Sequence, residues 1–134
     1  MAGESVERDG ATTPDDVKRA LVAFFVRFPD ASVYAATRGP ARFFDTDPSP
    51  SAVDWPTFSA EVLGRGSRAR LFLLTWTRCE ARRRAIASNL PHPPTVGSIL
   101  GFCREFGVAP ATFDRTVQRA AAALAVELDR RRYL

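Results

Sequence analysis

Apolar side chains recur at helical spacing along this chain, and Gly and Pro interrupt the recurrence at short intervals. That combination restricts the fold to short helices packed on one another. Val17, Leu21, Phe24, Phe25 and Phe28 form one such stripe. Ahead of them, Thr13-Pro14-Asp15-Asp16 supplies a hydroxyl N-cap, a proline in the first turn and two early carboxylates. Pro29-Asp30 ends the stripe. A short helix from about Pro56 to Leu63 stops at Gly64-Arg65-Gly66, and Ser67 caps a longer one reaching about Ser88. Phe72, Leu73, Trp76, Cys79 and Ile86 are its expected inward positions. Leu71 to Thr77 also alternates as a strand would, but the Arg-rich continuation to Arg84 favours helix. The prolines of Asn89–Pro94 break the chain again, and helices from about Val96 to Phe106 and from Pro110 to Arg131 complete it.

The expected fold is mainly α, a bundle of five to six helices. Residues 32–44 fit a short helix or a β-hairpin turning at Arg38-Gly39-Pro40, and the Gly-Pro pair favours the hairpin. Residues 45–54, with Pro48 and Pro50, read as a loop. At 134 residues the chain has the length of one domain. Residues 1–12 read as a flexible polar tail and residues 13–134 as a single helical domain.

Charge divides that domain. Residues 1–64 carry six basic and ten acidic side chains, a net −4, whereas residues 65–134 carry thirteen and five, a net +8. The acidic stretch 13–64 suits packing or self-association; the basic stretch 65–134 suits a polyanion, nucleic acid before membrane. Eighteen of the nineteen basic residues are Arg, which matches phosphate forks but is also what a GC-rich genome encodes.

The most informative segment runs from Ile99 to Val117. Gly107 sits where a tight turn between two helices demands a left-handed backbone. Cys103, four residues earlier, is small enough for close helix approach. Val108 can plug the angle, Pro110 suits a first helical turn, and Phe113 and Val117 fall on the inner face of the second helix. This segment resembles the helix-turn-helix motif of DNA-binding proteins. The resemblance covers about 20 residues and does not extend to residues 1–66. It implies double-stranded DNA as partner, with the helix from Pro110 in the major groove. The positions that would read bases hold Pro110, Ala111, Thr112 and Asp114, fewer polar groups than the motif usually carries there. Thr112, Arg115, Gln118 and Arg119 are therefore the expected base-contacting side chains, with Arg82, Arg83, Arg84 and Arg104 on phosphates. Arg68, Arg70 and Arg78 belong to the same basic supply. A helix-turn-helix commonly works as a pair on a two-fold site, so a homodimer is expected.

Other signals carry less. Gly64-Arg65-Gly66-Ser67-Arg68-Ala69 fits a dinucleotide-binding glycine pattern, but no strand precedes it, and a helix stop followed by a new cap explains it. His92 lies between prolines with no nucleophile or carboxylate at a suggestive spacing. Cys79 and Cys103 form neither a disulfide framework nor a CxxC clamp, and one histidine cannot found a multi-histidine metal site. Trp55 and Trp76 read as core or interface anchors, and Arg130-Arg131-Arg132 suits a helix end. No run approaches a membrane span, and the polar start lacks a secretory signal. The sequence thus points to a non-enzymatic, cofactor-free DNA-binding regulator that is not secreted: cytoplasmic, and nucleoid-associated or nuclear if it binds DNA. The alternative is a helical adaptor whose apolar groove takes a partner helix.

Overall fold

The computed structural model describes residues 11–29, 31, 53–93 and 97–132. They form five helices: α1 (Pro14–Arg27), α2 (Trp55–Leu63), α3 (Arg68–Ala87), α4 (Ile99–Phe106) and α5 (Pro110–Arg132). No strand occurs among the described residues. Most of the expected tail and the hairpin expected at 32–44 lie outside them. Thr12, the last residue of that tail, is tied down: its N–H and hydroxyl donate to the Asp129 carboxylate at 2.8 and 2.5 Å.

The helix starts follow from local chemistry. Thr13 and Asp16 close a capping box on α1, the Asp16 amide donating to Thr13 Oγ1 at 3.0 Å and the Thr13 amide to Asp16 Oδ2 at 2.9 Å. Asp54 caps α2, Ser67 caps α3 and Ser98 caps α4. The last helix of this set begins at Ile99 rather than Val96, because Gly97 adopts φ 80° and Ser98 serves as cap. Helix α3 ends with Asn89 at φ 58°, its amide bonded to Ile86 O and that of Leu90 to Ala85 O. This is a left-handed helix stop that Asn tolerates better than any residue but Gly.

Helices α1, α3 and α5 pack on one another, α2 bridges α3 and α5, and α4 lies against the same pair. Val17, Leu21, Phe24 and Phe25 enter the core, with Trp55, Phe58, Phe72, Leu73, Phe113, Leu124 and Leu128. Each large apolar side chain so buried contributes about 1.5–3 kcal/mol. Two expected positions do not join them. Phe28 is 40% exposed, because it lies beyond the helical phase at the end of α1. Ile86 is 47% exposed: at about 100° per residue it points away from Thr77, Ala81 and Ala85, the small side chains that actually face inward. Cys79 and Trp76 are half-buried.

Two arginines fasten α2 to its neighbours. Arg70, only 2% exposed, donates from Nε to Ser59 Oγ at 3.0 Å and from Nη2 to Pro56 O at 3.0 Å. The sequence offers Arg70 to phosphate; the structure commits it to the core. Replacing it with Ala should strand buried acceptors and open a cavity, costing about 3 kcal/mol. Chemical denaturation would register this as a lower midpoint with an unchanged slope. A loss within experimental error would show that these bonds do not hold α2.

Arg131 of α5 bonds Glu61 Oε1 of α2 and Glu127 Oε2 of its own helix, both at 2.9 Å, with its guanidinium 5.0 Å from the Phe58 ring centre. Arg130 also pairs with Glu127. Hydrogen bonds from Arg130 and then Arg131 lower the Glu127 carboxyl from its ordinary 4.5 to about 2. A depressed carboxyl pKa contributes stability above its unfolded value and loses it as pH falls through the folded one. Wild type should therefore lose its Tm advantage over Glu127→Gln as pH falls from about 4.5 to about 2. A difference that stays constant across that window would exclude this ion pair as a contributor.

Candidate nucleic-acid interface

The corner between α4 and α5 is built around one backbone conformation. Gly107 adopts φ 66°, ψ 34°, the left-handed region. Its amide donates to Arg104 O at 3.3 Å, and the next amide, Val108, reaches back to Cys103 O at 2.9 Å. These paired bonds satisfy two carbonyls that the helix end would leave open. A Cβ at Gly107 would meet nothing within 4 Å, so glycine is required by conformation and not by space.

Below the turn, Cys103 is 2% exposed, Phe113 0% and Val117 2%, and half-buried Val108 packs against the same core. Phe72 of α3 forms the floor: its ring lies 5.4 Å from Phe102, 6.2 Å from Phe106 and 5.2 Å from Phe113. Phe102 and Phe106 stack at 4.4 Å. The guanidinium of Arg68 lies 5.7 Å from the Phe72 ring centre, which puts a basic group beside the corner.

Helix α5 differs from the others at its start. Ala109 occupies the cap position, accepting from the Phe113 amide at 3.0 Å, and its methyl carries no acceptor. Pro110 has no amide, so Ala111 and Thr112 present theirs at an exposed helix start without a capping side chain. The positive end of the helix dipole adds to that polarity.

The structure places the expected contact residues in distinct settings. Thr112, Arg115 and Arg119 are exposed along the outer side of α5, opposite Phe113, Val117 and Ala120. Arg115 Nη2 donates to Thr112 Oγ1 at 3.2 Å. Gln118 is exposed but turned toward α1, where its Oε1 accepts from Lys18 Nζ at 3.4 Å. Arg104 is exposed in the last turn of α4. Among the described residues, neither the Arg104 nor the Arg119 guanidinium makes a hydrogen bond or ion pair. Asp114 and Glu105 are also exposed here and moderate the positive charge.

Arg82, Arg83 and Arg84 do not form one patch. Successive positions on a helix turn by about 100°, so three in a row fan apart. Arg82 Nε bonds Pro93 O at 3.1 Å, holding the segment after α3. Arg83 pairs with Glu80. Arg84 lines a groove between α3 and α1. The uncapped start of α5 is the feature that the sequence reading passed over; Ala109-Pro110, with no side-chain acceptor, was its signal.

Helix α2 precedes Gly64 at φ 93°, so the glycine pattern at 64–69 is a helix stop and a new cap, not a phosphate loop after a strand. Among the described residues no group of three or more His, Cys, Asp or Glu side chains could hold a metal ion. No described helix is long and apolar enough to cross a membrane. Comparison with protein-family models, curated proteins and solved structures finds no match to the chain.

Gly107→Ala should cost about 1 kcal/mol by forcing an L side chain into the left-handed region, and Gly107→Asn less. Thermal unfolding of the two variants checks this. Equal Tm values for wild type and Gly107→Ala would mean that the turn has another conformation in solution.

Proposed function

We propose that the protein binds double-stranded DNA through the α4–α5 corner, with α5 entering the major groove, and regulates by occupancy without chemistry. The observation that carries this reading is the combination at one corner: a left-handed glycine turn and an outward α5 start. That start presents uncapped amides, Thr112, Arg115 and Arg119. Backbone amides and a helix dipole suit a phosphate oxygen. Arg115 and Arg119 lie one turn apart and can each offer a bidentate fork to a guanine edge. Arg104 on α4 and Arg68 over Phe72 flank the corner and suit backbone phosphates. Arg82, Arg83 and Arg84, spread over three directions, are proposed as weaker contributors to the same electrostatic attraction. A single corner contacts few base pairs, so we propose that two copies act on a two-fold site.

A second reading, a protein-binding adaptor, is favoured by the groove between α1 and α3. It encloses about 530 Å³ and is lined by Val22, Val26, Leu90 and Pro91, with Arg27 and Arg84 at its edge. Leu90 is 44% exposed.

Anisotropy titrations against a selected duplex and a random one, over a salt series, separate the two. Arg115→Ala should flatten sequence preference by about 1–3 kcal/mol. Arg104→Ala should weaken all duplexes alike and reduce the salt slope by about one. Negligible effects from both would remove DNA from this surface and put the adaptor reading first.

A further inference from the structure

A second concave surface opens on the other side of α3, at the turn that joins it to α2. It encloses about 220 Å³, below the roughly 300–1,000 Å³ of pockets for drug-sized ligands. Arg65, Arg70 and Arg78 contribute to its wall, with Leu71, Leu74 and Thr75 between them. No carboxylate of the described residues lines it. Arg70 is already engaged in fastening α2. Arg78, which also borders a smaller cleft beside Phe25 and Pro29, is different: the residue is half-buried, yet its guanidinium makes no hydrogen bond or ion pair among the described residues. A guanidinium that surrenders part of its hydration normally recovers it through an anion or an acceptor. Arg65 is exposed at the rim, where it extends the positive field over the opening.

We infer that this cavity is a binding site for a small organic carboxylate with a short apolar body. The carboxylate would lie in the fork of Arg78, the geometry in which guanidinium and carboxylate form two parallel bonds. The apolar body would lie on Leu71 and Leu74, and the Thr75 hydroxyl is available to the second oxygen. A bare inorganic anion can take the fork and the charge but has no body to lie on Leu71 and Leu74, while a neutral apolar molecule leaves Arg78 as it was. The site follows from the cavity and Arg78 alone and stands or falls separately from DNA binding.

The test is calorimetric titration of the full chain with benzoate, hexanoate and inorganic phosphate, each to millimolar concentration. Benzoate or hexanoate should bind and phosphate should bind more weakly. Arg78→Gln should weaken the carboxylate by roughly tenfold or more, the loss of a charge-assisted bond. Should that variant fail to fold, amide shifts of the wild-type protein decide: Leu71, Leu74, Thr75 and Arg78 should move with benzoate. No binding by either carboxylate overturns the inference. So does phosphate binding as tightly as benzoate, which would reduce the site to general charge, or binding that Arg78→Gln leaves unchanged.

Discussion

The contact of the Phe72 ring with Phe102, Phe106 and Phe113 is the constraint on which the rest of the corner depends. It joins one side chain of α3 to both helices of the α4–α5 pair. Helix α4 is eight residues long, too short to be stable alone, so its position must come from packing. Edge-to-face rings hold it there, and pairs of this kind add about 0.5–1.5 kcal/mol beyond the area they bury. With α4 so placed, the Gly107 turn sets the direction of α5, and the buried Phe113 and Val117 set its rotation. The outer residues Thr112, Arg115 and Arg119 then face solvent by elimination.

Much of this is legible in the sequence. Cap residues and glycine stops act over three or four residues, and those at Thr13, Ser67, Gly64 and Gly107 appear where the sequence suggested. Inward residues with clear periodicity, such as Leu21, Phe24, Phe72 and Phe113, were equally readable. What could not be read was rotation where stripes blur. Helix α3 is enclosed on several sides, so apolar Ile86 and polar Thr77 exchanged the places that hydrophobicity alone would assign. Phe28 was misplaced because the helix ended one residue before it.

The arginines were the hardest to sort, since sequence gives charge but not partners. In the structure they divide by what they touch. Arg70 and Arg131 are structural, one through buried acceptors and the other through Glu61, Glu127 and the Phe58 ring. Arg82 holds the segment after α3. Arg104 and Arg119 remain exposed at the corner, and Arg78 is left half-buried beside a cavity. The net charge of the second half therefore overstates what a polyanion would meet, and on the proposed function long-range attraction and specific contact would come from different residues.

On the proposed function, α5 presents its first turns to duplex DNA. The most direct measurement is amide chemical-shift mapping of the isotope-labelled protein during titration with a short duplex at low salt. The proposed function predicts the largest changes at Ala111, Thr112, Arg115 and Arg119, with smaller ones at Arg104 and Arg68. It also predicts that Val22, Val26 and Leu90 in the α1–α3 groove stay unmoved. No saturable change at the start of α5, or changes confined to that groove, would contradict it.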